Sequence, residues 1–159
     1  MRKRLCFAVA LGALSALGIL PLNAVFAQSD EAFIKYRQKV MSSNGANISS
    51  IGAILKNKLP YAGNIAGHAR NINTNAKMIA AAFKKELHQG KTDAKPEIWQ
   101  KWSDFEDAAK NLQEQSAKLA DVASSGDMAA IGAQVKQMGK ACGSCHKKFR
   151  KKKKDRYKR

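Results

Sequence analysis

From residue 30 to residue 149 the apolar side chains recur at steps of three, four or seven, in four blocks, and no stretch alternates Val, Ile and Thr with polar residues. A period near 3.6 belongs to helices that bury one face, so the chain reads as all-α. The first block, about Asp30 to Lys56, aligns Ile34, Met41, Ile48, Ile51 and Leu55, with Ser29 and Asp30 as N-cap types. After Pro60 and Gly63, a second stripe through Ile65, Ala69, Ile72, Ala76, Ile79 and Phe83 runs to about Leu87, and a loop covers His88 to Lys95. Pro96 opens the third block, in which Ile98, Trp102, Phe105, Ala109, Leu112, Ser116, Leu119 and Ala123 keep the rhythm. Ser125-Gly126-Asp127 supplies a stop and a new cap, and Met128, Ile131, Val135, Met138, Cys142, Cys145 and Phe149 form the fourth stripe. Four amphipathic helices joined by short loops bury their stripes together as antiparallel neighbours, which predicts an up-down-up-down four-helix bundle.

The segment before the first block has a different character. Arg2, Lys3 and Arg4 precede an apolar run from Leu5 to Leu20, and Val25-Phe26-Ala27 has the form of a cleavage site, so residues 1–27 read as a secretory signal peptide. A retained membrane anchor needs about 20 unbroken apolar residues, and Pro21 and Asn23 cut this run short. Cleavage removes Cys6, leaving Cys142 and Cys145 as the cysteines of an exported, periplasmic protein. The expected organisation is a single domain over 28–150 followed by a basic tail, 151–159, with too little apolar surface to pack.

Cys142-Gly143-Ser144-Cys145-His146 carries the chemistry. It is the C-x-x-C-H pattern of covalent c-type haem. Residues three apart on a helix share a face, so both thiols reach the two vinyl groups along one porphyrin edge, and the next residue offers an imidazole to the iron. A thioredoxin-like pair would stand at the start of a helix after a strand, whereas these cysteines lie near the end of a helix. Structural zinc would need two further ligands, and His68 and His88 lack finger-type spacing.

A second axial ligand must come from another helix. Met41 lies about 16 Å up the first helix and Met78 about 14 Å from the end of the second, at 1.5 Å per residue, so both reach the level of the haem. Met41 is on the apolar stripe while Met78 sits beside one, which favours Met41, with ordinary core packing as its other reading. His68 falls at the far end of the second helix. His88 could ligate only if its loop folded inward.

Tyr36-Arg37-Gln38, Pro96-Glu97-Ile98-Trp99, and Cys142 to His146 followed by Phe149-Arg150 resemble the cytochrome c-prime family, over about Asp30 to Lys152. The resemblance implies one covalent haem c at Cys142 and Cys145, its iron held by His146, with Arg150 close by and Arg37 near a propionate. It also implies a division at the position of Met41. High-spin members carry an apolar residue there and bind small gases at five-coordinate iron; low-spin members carry methionine. Met41-Ser42-Ser43-Asn44-Gly45 and Gly139-Lys140-Ala141 resemble the low-spin branch, which implies Met41 as distal ligand.

The formal net charge is +17, and Lys147 to Arg159 hold ten Lys+Arg against one Asp. Such a concentration steers acidic redox partners or anionic membrane surfaces toward the haem end, or merely keeps the tail solvated. Export and the absence of aromatic stacking motifs argue against nucleic acid, and a homodimer stays open. No nucleophile and base pair or carboxylate pair suggests an enzyme. The expected function is single-electron transfer through a six-coordinate His/Met haem. The alternative is nitric oxide or carbon monoxide binding at a five-coordinate or displaceable site.

Overall fold

The computed structural model describes residues 29–156. The expected signal peptide, with Cys6, and tail residues 157–159 lie outside the described residues. The helices are α1 (Asp30–Lys56), α2 (Asn64–Lys77), α3 (Ile79–Phe83), α4 (Glu97–Gln100), α5 (Trp102–Ser124) and α6 (Met128–Phe149), followed by a 3-10 turn, Lys153–Asp155. The rods α1, α2 with α3, α5 and α6 make the four-helix bundle.

The caps are those the sequence proposes. Ser29 Oγ accepts from the Ala32 N–H at 3.3 Å, and Asp127 Oδ1 accepts from the N–H groups of Ala129 and Ala130 at 2.9 and 3.1 Å. Gly126 takes the left-handed conformation, φ 76°, that lets α5 stop and α6 start within three residues.

Two boundaries differ from the periodicity. The second rod ends at Phe83 rather than near Leu87, because Arg37 of α1 takes the carbonyls that the last turn would leave unmatched. Its Nε donates to Ala82 O at 2.9 Å, one terminal nitrogen donates to Leu87 O at 2.9 Å, and the other to Lys85 O. The third block is split at Lys101 (φ −130°, ψ 52°), so α4 is a single turn set against the start of α5.

The packing has a gap in its order. α1 packs on α2 and α3, α2 on α5, and α5 on α6, but no comparable packing joins α1 to α6 among the described residues. Ile51, Ile65, Leu119 and Ile131, each 0% exposed, close the bundle at the end where α1 finishes and α6 begins. At the opposite end the two outer helices are held apart.

Residues 151–156 of the expected tail pack against a loop despite their lack of apolar surface. Ala94 and Arg150 form an antiparallel bridge, in which Lys95 N–H donates to Phe149 O at 3.1 Å and Lys151 N–H to Asp93 O at 2.9 Å. Lys151 Nζ donates to His88 O and Thr92 O at 3.2 and 3.0 Å. What anchors residues 151–156 is therefore polar: hydrogen bonds to loop carbonyls, which apolar periodicity does not register.

Candidate functional site

Between α1 and α6 lies a cavity of about 390 Å³, inside the ~300–1,000 Å³ range of small-molecule and cofactor sites. Its walls bring together all six residues singled out from the sequence: Arg37 and Met41 from α1, Cys142, Cys145 and His146 from α6, and Arg150 just beyond. Ile72, Phe83, Phe105 and Leu112 supply apolar surface from the remaining rods, and Met138 adds to it from α6. The separation of α1 from α6 thus produces a slot with two thiols and an imidazole on one side and a thioether on the other.

The α6 side follows from helical geometry. Cys142 and Cys145 are one turn apart and partly buried against the core. Burial pushes both thiols up, Cys145 to about 11 with a smaller contribution from the neighbouring Cys142. They are held protonated, unlike the ionised thiolate of a thioredoxin-type pair. His146 projects from the exposed side of α6 at the cavity rim. The protein around it still desolvates the ring, and Arg150 and then Arg156 add positive potential, so its pKa falls below the ordinary value. Neutral imidazole is the form that ligates a metal.

Met41 is the methionine that faces the slot. Met78 does not line it; the Tyr36 hydroxyl donates to Met78 Sδ at 3.7 Å. His68 pairs with Asn47 (Nδ1 to Oδ1, 2.9 Å), and His88 stands by Glu86 and packs its ring 5.9 Å from that of Trp99. Neither histidine reaches the cavity.

Arg37 has a structural task that the sequence did not reveal. It is 2% exposed and lies between the rings of Phe83 and Trp99, 4.9 and 5.3 Å from their centroids, while its three nitrogens hold the end of α3 and the loop after it. Burial lowers its pKa, yet a guanidinium remains charged. Its sequence neighbours do related work, since Gln38 Nε2 donates to Lys91 O at 2.9 Å. Trp99 Nε1 likewise donates to Phe83 O at 2.8 Å. One hydrogen on each terminal nitrogen of Arg37 is not used by these carbonyls.

Two cavity residues escaped the sequence reading. Asp93 Oδ2 lies 3.4 Å from Arg150 and 3.8 Å from Arg156, tying the tail to the rim. Asn44, one turn along α1 from Met41, has both polar side-chain atoms buried without a partner among the described residues. Its signal was its place on the α1 stripe, between Met41 and Ile48.

The sequence model of the family described as Cytochrome C′ matches residues 32–150. The chain belongs to the cytochrome c′ family. Its cofactor is covalent haem c with iron, attached at Cys142 and Cys145, and the cavity volume, the paired thiols and the apolar walls fit that group. A cytochrome c′ of Rhodospirillum rubrum is 34% identical over 149 residues, covering 93% of this chain and 98% of the relative. The structure of cytochrome c prime from Shewanella frigidimarina aligns with a TM-score of 0.72 at 30% identity, over 79% of this chain and 98% of that one. The nitric oxide complex of a leucine-to-alanine variant of cytochrome c prime from Alcaligenes xylosoxidans aligns with a TM-score of 0.69 at 30% identity, over 77% and 96%. Among the described residues no helix is long and apolar enough to cross a membrane.

Proposed function

We propose that this cytochrome c′ family member is a haem protein that captures nitric oxide or carbon monoxide on the α1 side of its iron, not an enzyme. In this reading His146 would hold the iron from α6, and Met41 would be a displaceable ligand to it from α1. The observation that carries it is the single slot in which Met41 and His146 line opposing helices, α1 and α6, with apolar side chains filling the walls between them. The nitric oxide complex of the Alcaligenes xylosoxidans relative supports it. Haem iron supplies the gas-binding chemistry; the chain sets which groups compete for it. Arg150, whose N–H donates to His146 O at 3.0 Å, favours the neutral imidazole by its charge. The hydrogens of Arg37 not taken by the carbonyls of Ala82, Lys85 and Leu87 would be free to hold a propionate at the slot's edge.

A second reading is favoured by Met41 itself, partly buried against the core. A methionine that is never displaced leaves a low-spin His/Met haem that passes single electrons. Titrating the reduced protein with carbon monoxide separates the two. Saturable binding with a shifted Soret band is the expected result; an unchanged spectrum in gas-saturated buffer rejects gas capture and leaves the electron carrier.

We assign the protein to the periplasm, with acidic reductants or anionic membrane surfaces drawn to the α6 end. Lys147, Lys152, Lys153 and Lys154 are exposed and pair with no carboxylate among the described residues. Lys151 is held by the loop, so truncating the tail would also disturb that loop, and charge reversal at Lys152, Lys153 and Lys154 is the cleaner test. The triple Glu variant should keep its spectrum and exchange electrons about tenfold more slowly with an acidic protein at low salt. That difference should shrink as the Debye length falls from about 30 Å at 0.01 M to about 8 Å at 0.15 M. Equal salt dependence for the two proteins means the tail is only solvated.

A further inference from the structure

We propose that Asn44 is a specificity-determining residue of the distal side, donating a hydrogen bond from its side-chain amide to a diatomic ligand held in the slot. The inference rests on the gas-capture reading and adds to it a named donor.

The case begins with what Asn44 lacks. Its Nδ2 and Oδ1 are both buried and have no hydrogen-bond partner among the described residues. Buried amides in folded proteins are nearly always paired, and one that is not calls for an explanation. Neighbouring polar side chains on α1 are matched across the bundle. Asn47 Oδ1 is within 2.9 Å of His68 Nδ1 and accepts from Asn71 at 3.3 Å, and Ser43 Oγ accepts from Asn75 at 2.7 Å. Asn44 alone of these lines the cavity. It is therefore a polar group of α1 left without a partner on the wall of the slot.

The surroundings restrict what that partner can be. Met41 is one turn away and offers at most a weak thioether acceptor. Ile48, one turn further along α1, and the facing Ile72 and Leu112 offer no side-chain acceptor. Carbon monoxide or nitric oxide held there on reduced iron would present a partly negative outer atom, an acceptor for an amide N–H. The donor sits in surroundings of low dielectric, where one such bond has a larger electrostatic effect than in water. Arg37, also on the slot, is committed to the carbonyls of Ala82, Lys85 and Leu87 and is two turns from Asn44 along α1.

The test uses the haem-loaded protein and carbon monoxide as probe, with two readouts: the C–O stretching frequency and the rate of carbon monoxide dissociation. Asn44→Leu removes the donor at similar volume. It should raise the stretching frequency and speed dissociation about 3- to 10-fold, the range for loss of one neutral hydrogen bond. If Asn44→Leu does not fold, Asn44→Ala gives the same readouts. Asn44→Gln, which keeps the amide, should lie nearer to the parent. Carbon monoxide binding with frequency and rate unaltered in the Leu or Ala variant overturns the role of Asn44 alone. A parent protein that takes up no carbon monoxide overturns gas capture and this inference together.

Discussion

Replacing Cys142 and Cys145 together by serine is expected to leave a polypeptide of bare mass under denaturing conditions, whereas the parent carries one haem. The two thiols are one helical turn apart on the wall of a cavity of about 390 Å³. Serine cannot form the thioethers, so nothing covalent survives denaturation. Loss of the group should also unsettle the fold. With a residual-cavity cost of about 24 cal/mol per Å³, a third of that volume left unfilled amounts to ~3 kcal/mol, a large share of a small domain's stability. The measurements are intact-mass spectrometry and thermal melting. Haem retained through denaturation in the double variant would show that attachment does not run through these cysteines.

Met41→Leu should have the second largest effect, on the spectrum rather than on the fold. Leucine and methionine differ little in volume, and such swaps in a core cost less than ~1.5 kcal/mol. If Met41 occupies the distal position, an incoming gas binds only the fraction of molecules in which the thioether has moved aside, and its apparent affinity falls by that fraction. Minor states of this kind are populated at about 0.1–10%, so removing the competitor should tighten carbon monoxide binding roughly 10- to 1,000-fold. The oxidised protein should at the same time lose its sulfur-to-iron absorption band. Unchanged affinity and spectrum in Met41→Leu would make Met41 a packing residue, with the iron five-coordinate from the start. Parent protein that refuses carbon monoxide while Met41→Leu accepts it would favour the electron carrier.

Much of this was legible in the chain. Periodicity fixed helix type and number because each rod must bury one stripe, and Ser29, Gly126 and Asp127 carry their capping chemistry locally. The attachment motif is equally local, since three residues of helical rise place both thiols on one face. The α1 stripe was harder to read. Two of its apolar spacings are sevens, Ile34 to Met41 and Met41 to Ile48, and the skipped positions hold Arg37 and Asn44. Both face the cavity. A sequence pattern registers them as gaps in hydrophobicity, while their meaning depends on carbonyls 45 or more residues away in the case of Arg37 and on a place in the slot wall without a partner in the case of Asn44.

What the sequence determined by itself was everything set within a few turns of chain: helices, most of their ends, the cap residues, and the thiol, thiol, imidazole order of Cys142, Cys145 and His146. Tertiary structure decided what depends on groups distant in sequence meeting. Arg37 holds the chain past Phe83 because its donors satisfy the carbonyls of Ala82, Lys85 and Leu87, which the end of the rod leaves unmatched. Residues 151–156 dock because loop carbonyls at His88 and Thr92 lie within reach of Lys151. The slot exists because α1 and α6 each pack on other rods and not closely on one another. Hydrophobic spacing specifies that a face is buried; which groups it meets there is a matter of three-dimensional proximity, and in this protein that proximity assembles the cofactor site.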